Sequence, residues 1–224
     1  MSDLSDHSID AERPYLLIML GVCGLLGCAS LLLGAVVAPF FAPEYDWIAD
    51  TISDLAAGEM KIIMDVALYG FAAGLLATAL AAAHAHLGGV FWSAGVLSLA
   101  ILAGLVIVVG ARDEYGDADG DGVVIHVYLV YALGALFVVT PFCMARGIGR
   151  DHALARRVLI AAGMLWTLAA PVFFVLPTGL DGLYERFLGL IACVMVATLA
   201  VVFSLRGGRS LRRTGKAGVS RGSG

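Results

Sequence analysis

A chain of 224 residues with 14 basic and 18 acidic side chains has a formal charge of −4, and 60% of its residues are hydrophobic against 14% charged. A mean hydropathy of +0.92 leaves far too little polar surface to cover a soluble domain of this size, and that class is excluded. The solvent this composition fits is lipid.

Hydrocarbon about 30 Å thick takes roughly 20 apolar helical residues to cross. Six windows of that length, bounded by charge or turn residues, run over 15–40, 61–84, 88–111, 123–145, 156–176 and 184–205. The predicted fold class is an all-α integral membrane protein, a six-transmembrane-helix bundle. Residues 1–14 form one short tail, 15–205 the membrane domain, and 206–224 a basic, glycine-rich tail expected to be disordered.

The first span carries Gly21, Gly24, Gly27 and Ser30 at three-residue spacing, and the second carries Gly70 and Gly74 as a GxxxG. Small residues in lipid let helix backbones approach closely, so both stripes predict packing seams inside the bundle, with a dimerisation face as the alternative. "LLGC" at Leu25 to Cys28 resembles a lipoprotein cleavage box, but apolar sequence runs on to Phe41 behind a mostly acidic tail. An uncleaved span fits that pattern better. Cys23, Cys28, Cys143 and Cys193 fall inside spans without a CxxC pair, and they read as small buried hydrophobes.

Between the first two spans lies "DWIADTISDLAAGE", residues 46–59. As one helix it would gather Asp46, Asp50 and Asp54 in a wedge of about 80°, with Ile48, Ile52 and Leu55 opposite. It is expected either to lie as a short interfacial helix, with Tyr45 and Trp47 at head-group level, or to be capped by Thr51 or Ser53 and lead into a longer second span that bends at Gly58. Asp65 begins the second span and His84 and His86 end it, the two histidines as interfacial side chains.

Arg112 ends the third span. The loop that follows holds "DADGDG", where Asp117, Asp119 and Asp121 match the first half of an EF-hand calcium loop. Position twelve would be Tyr128 rather than glutamate, so an acidic turn is the plainer reading and a divalent cation only a candidate. His126 opens the fourth span. Pro141 and Pro171 are expected to kink the fourth and fifth spans, with Thr140 and Thr167 near enough to satisfy the freed backbone. Glu185 and Arg186 open the sixth.

Alternating the segments across the membrane puts eleven basic and five acidic residues on one side, against three and thirteen on the other. The positive-inside rule then makes the first side cytoplasmic, with both termini inside a cytoplasmic membrane. For the basic tail, attraction to anionic head groups is the simplest account, and no nucleic-acid partner is expected.

The span interiors carry no ionisable residue, whereas transporters and pumps usually place one near the midplane. Polar chemistry therefore collects at the outer boundary: the aspartates of residues 46–54, then Asp65, Arg112, His126, Glu185 and Arg186. Carboxylates packed together there need a cation or a hydrogen-bond donor to stay ionised. Arg112, Arg186, His126 or a divalent cation is placed to supply it. The competing reading is a solvated rim that stops the helices from sliding inward.

The order "YDWIADTISDLAAG", then Ile125-His126-Val127, then "GLYERFLGL" resembles the bacterial and archaeal membrane proteins grouped as domain of unknown function 998, over roughly residues 15–205. The "ISDL" core is also similar to the "ISD" element of the Frag/DRAM/Sfk membrane proteins. The first resemblance implies a six-span bundle with Ser53, Asp54, His126, Glu185 and Arg186 at recurrent positions. The second implies involvement with membrane lipids.

Three functions are open. The first is binding or organising membrane lipid at the outer face through Asp50, Ser53, Asp54, Asp65, His126, Glu185 and Arg186. The second is an intramembrane lipid hydrolase or transferase, in which Asp54 or His126 acts as general base, with Glu185 beside it, a metal-bound water as nucleophile and Arg186 as anion stabiliser. A single histidine is sparse for the usual zinc sites. The third, a small-solute transporter, is disfavoured by the apolar interiors.

Overall fold

The computed structural model describes residues 13–57, 61–111, 125–149, 152–177 and 179–221, with the side chains of residues 57, 111, 125, 126 and 214–221 outside the description. Its helices are α1 (Pro14–Val37, extended by a 3-10 turn Ala38–Phe41), α2 (Ile52–Ala57), α3 (Ile62–Ala85), α4 (Val90–Ala111), α5 (Ile125–Gly147), α6 (Ala153–Ala169, extended by a 3-10 stretch Ala170–Val175) and α7 (Asp181–Arg221). Six of them are long and apolar enough to cross a membrane, and no strand occurs among the described residues. The expected all-α six-span bundle is found. Each expected window coincides with one long helix.

The six long helices close a ring, packed in the order α1, α3, α4, α5, α6, α7 and back to α1, with α3 also touching α7. The glycine stripe of α1 is its closest seam. A Cβ on Gly27 would stand 2.7 Å from the Gly74 Cα, and one on Gly24 would stand 2.7 Å from the Thr78 hydroxyl. On the neighbouring side, a Cβ on Gly21 would meet the Ala200 carbonyl oxygen at 2.6 Å, and Gly207 comes as close to Pro14. Both stripes therefore pack inside the chain, α1 lying antiparallel between α3 and α7.

Cys28 and Cys193 meet across the α1–α7 seam, each thiol against the other's carbonyl oxygen at 3.6 and 3.9 Å. Both are buried, whereas Cys23 is exposed and Cys143 only partly buried, so the reading of all four cysteines as buried holds for Cys28 and Cys193 alone. The two prolines act differently from each other. Pro141 stays inside α5, and at Pro171 the α-helix has already given way to 3-10 geometry. The hydroxyls of Thr140 and Thr167 donate instead to the carbonyls of Leu136 and Gly163, four residues back. The carbonyls that prolines 141 and 171 leave without their usual partner belong to Phe137 and Thr167, so the expected compensation is not made by these hydroxyls.

One end of the bundle is basic. There the Arg13 N–H, one of the donors a helix start leaves unsatisfied, donates to His84 Nε2 at 2.9 Å. His86 ends α3 in a left-handed conformation, φ 41°. Beyond position 205, where the sequence placed the end of the last span, α7 continues through Arg206, Arg209, Arg212 and Arg213 to Arg221. The opposite end carries Glu44, Asp46, Asp50, Lys61, Asp181 and Glu185.

Candidate functional site

At the acidic end, residues 45–54 do not form the single helix that would gather three aspartates on one face. Asp46 Oδ1 accepts the N–H groups of Ile48 and Ala49 at 2.9 and 3.4 Å, and Asp50 Oδ2 accepts the Asp46 N–H at 2.8 Å. Short carboxylates bonded to their own backbone compete with helix formation. The chain turns there, and helix begins only at Ile52. Ile48, expected on the buried side with Ile52 and Leu55, is 49% exposed, while those two are 8% and 4% exposed.

The start of α2 is held by a reciprocal cap. The Thr51 hydroxyl accepts the Asp54 N–H at 3.0 Å, and Asp54 Oδ2 accepts both the Thr51 N–H and the Thr51 hydroxyl at 2.7 Å. Thr51 is thus the cap of the short helix α2; Gly58, where a longer second span was expected to bend, lies outside the described residues. Asp54 belongs to the same device. A second carboxylate arrives from α7: Glu185 accepts the Ile52 N–H, and the Ser53 hydroxyl donates to it at 3.4 Å.

Arg186 fastens the preceding turn. Its Nη1 donates to the carbonyl oxygens of Gly182 at 2.8 Å and of Trp47 and Asp50 at 3.2 Å, and its Nη2 donates to the Tyr45 hydroxyl at 2.7 Å. The guanidinium also lies 4.7 Å from the Trp47 ring centre and 5.6 Å from that of Tyr45. In return the turn caps α7. The carbonyls of Ala49 and Ile48 accept the N–H groups of Gly182 and Leu183 at 3.2 and 3.0 Å. Gly182 is required here, because a Cβ at that position would come 1.9 Å from the Asp50 carbonyl oxygen. Burial pushes the Tyr45 phenol above its ordinary value, opposed by its bond to Arg186. Tyr184 completes the "GLYER" run by donating to the Ala169 carbonyl at the end of α6, 2.9 Å away.

Beneath this cap the ring encloses a cavity of about 650 Å³, within the ~300–1,000 Å³ typical of ligand sites. All six long helices and α2 contribute to its wall. Thr51, Ser53 and Glu185 give it a polar end; below them the wall is mainly apolar, from Leu31, Phe71 and Val106 to Phe137, Trp166 and Ala192, with Tyr131 and with Thr167, whose hydroxyl is bonded to the Gly163 carbonyl, among the lining. Along α5 it runs from Val127 to Val138, roughly 17 Å of helix rise, about half the hydrocarbon thickness. The wall from α1 and α3 is closed, with Leu31 7% and Phe71 3% exposed. On α5 and α6, Tyr131 and Phe174 are 50% and 46% exposed. The half-exposed part of the lining thus lies on α5 and α6, where the Tyr131 and Phe174 rings meet at 4.7 Å.

Of the expected binding residues, Ser53 and Glu185 line the cavity. Asp50, Asp54 and Arg186 stand around it and hold the cap. Asp65, in the first turn of α3, has a buried Oδ1 without a partner among the described residues. The structure places His126 at the start of α5, its side chain outside the described residues. Arg112 and the expected metal residues Asp117, Asp119 and Asp121 also lie outside them. No group of three metal-ligating side chains occurs among the described residues. Gly182 and Tyr45 were not among the expected site residues, although each begins one of the two runs that carry the family resemblance and Tyr45 was expected at head-group level.

A six-helix membrane bundle with a leaflet-deep cavity under a hydrogen-bonded polar cap is the class these features define. The chain belongs to the family described as "Protein of unknown function (DUF998)", whose family model matches residues 25–202 and so takes in part or all of every span. No curated protein and no solved structure gives a significant match.

Proposed function

We propose that the protein binds a membrane lipid, taking its tail into the cavity and its head against Thr51, Ser53 and Glu185. One observation carries this reading: the cavity gathers Thr51, Ser53 and Glu185 at one end, is lined mainly by apolar side chains over the rest of a depth of about one leaflet, and has its half-exposed lining residues, Tyr131 and Phe174, on α5 and α6. Asp50, Asp54 and Arg186 hold the cap over it rather than touching the head. The charge asymmetry supports a cytoplasmic membrane with the acidic end outward. The cavity then belongs to the outer leaflet.

Native mass spectrometry of the protein extracted from its own membrane tests the proposal. A retained lipid is expected, and Gly189→Leu is expected to displace it. Gly189 lines the cavity, and a Cβ there meets nothing within 4 Å, so the added side chain has room in the empty space. Wild-type protein that retains no lipid would remove the basis of the proposal.

A further inference from the structure

We infer that the cavity holds a second polar point, the backbone carbonyl oxygen of Thr167, and that the lipid it takes carries a hydroxyl partway along its chain to meet it. This rests on the lipid-binding reading and deepens it.

In an unbroken α-helix the Thr167 carbonyl would accept the N–H four residues on. That position is Pro171, which has none. The nearest alternative, the Ala170 N–H, goes to the Trp166 carbonyl. From Ala170 to Val175 the chain is in 3-10 geometry, where each N–H reaches three residues back, so that of Val172 falls on Ala169. The side-chain donors nearby are spent elsewhere: the Thr167 hydroxyl on the Gly163 carbonyl, the Trp166 indole on Gly134 and the Tyr184 phenol on Ala169. Tyr131, also in the lining, packs its ring on Phe174 and makes no bond to this carbonyl among the described residues.

Thr167, Ala170 and Pro171 all line the cavity, so the interrupted turn is part of its wall. A carbonyl in apolar surroundings costs free energy until something donates to it, and broken helices at membrane depth are tolerated where they line a cavity. Pro141 makes the contrast. It frees the Phe137 carbonyl, but Pro141 is outside the lining and packs on α6, where a Cβ on Gly163 would stand 2.8 Å from its Cγ.

Depth sets where the hydroxyl must be. α5 and α7 both start at the polar end, with Val127 and Glu185 in or just past their first turns. The indole of Trp166, next to Thr167, reaches the Gly134 carbonyl at 3.0 Å, and Gly134 lies roughly 10 Å of helix rise beyond Val127. Carbon–carbon bonds of about 1.5 Å at near-tetrahedral angles advance an extended chain by about 1.25 Å each. The donor therefore falls about eight bonds below the head.

Three stearoyl monoacylglycerols test this, one plain, one hydroxylated at the ninth carbon and one at the second, each offered to delipidated protein in neutral detergent and read by native mass spectrometry. The ninth-carbon alcohol is expected to be retained about fivefold better than the other two, the scale of one net hydrogen bond between neutral groups. Pro171→Ala restores an N–H to serve Thr167, and is expected to abolish that preference while leaving retention of the plain chain unchanged. Pro141→Ala is expected to keep the preference. The comparison of chains on the wild type stands without either variant if one does not fold. Equal retention of all three, or a preference that survives Pro171→Ala, would overturn the inference and leave lipid binding standing. Retention of none would remove both.

Discussion

Arg186 and Tyr45, 141 positions apart in the chain, are joined by a 2.7 Å hydrogen bond from Nη2 to the phenol oxygen. The same guanidinium serves three carbonyl oxygens around it, so planarity and fork geometry matter as much as charge. Lysine keeps the charge but offers a single compact head. Arg186→Lys is therefore expected to destabilise the protein by about 2–3 kcal/mol, read as a lower unfolding temperature in detergent. An unfolding temperature equal to that of the wild type would mean that the fork does not hold the turn.

Tyr45 gives the same clasp a pH dependence. Its single proton lies between the carbonyl oxygens of Asp50 and Thr51, each 2.7 Å away. Burial raises its folded-state value above the ordinary one near 10. Because the folded value is the higher, the stability it contributes is fully present below about pH 10 and is lost as pH rises through the folded value. The stability gap between wild type and Tyr45→Phe should accordingly stay constant to about pH 10 and shrink above it. Ultraviolet titration should show one phenol ionising after the exposed ones, and that component should vanish in Tyr45→Phe.

Asp54 was a candidate base and a candidate ligand on sequence grounds; its carboxylate is bonded to Thr51. Removing it in Asp54→Ala should cost about 1 kcal/mol, as for other helix caps. Lipid bound per folded protein should not change. Loss of lipid with no change in stability would instead make Asp54 part of the binding site.

The sequence made the spans legible because hydrocarbon imposes length and excludes charge, two properties that any window reports. It made the α1 stripe legible because three-residue spacing of Gly21, Gly24 and Gly27 has no other strong use in lipid. The turn at residues 46–50 was misread because helical spacing of aspartates says nothing about whether each carboxylate bonds its own backbone, as Asp46 and Asp50 do. The cavity was invisible for a different reason. Leu31, Phe71, Val106, Phe137 and Ala192 are apolar like the residues that face lipid, and only the ring closure turns them toward a common space. Glu185 and Arg186 were found as a pair, yet their roles diverge: one lines the cavity and the other pins the turn.

The glycines offer a contrast within one side-chain change. A Cβ on Gly27 would stand 2.7 Å from the Gly74 Cα, and one on Gly74 would stand 2.9 Å from the Gly27 Cα. Backbone lies on both sides, so neither helix can yield without moving the whole seam. Gly27→Ala or Gly74→Ala is expected to cost about 2 kcal/mol or more, the scale of overpacking. At Gly134 and Gly189 a Cβ meets open space, and alanine there is expected to be neutral or slightly stabilising, because glycine is the weaker helix former. Equal effects at the two pairs of sites would show that the α1–α3 approach is looser than these distances.

Orientation is the last quantity that follows from charge. Arg13, Arg146, Arg209 and Arg213 lie at one end of the ring, and Glu44, Asp46 and Asp181 at the other. By the positive-inside rule the arginine-rich end is the one expected inside. In a variant whose four native cysteines are replaced by alanine, a single cysteine at Glu44 should react with a membrane-impermeant maleimide in intact cells. One at Arg213 should react only after the cells are opened. Labelling of both positions from the same side would break the six-span crossing, and the reverse order would move the cavity to the inner leaflet while leaving its geometry intact.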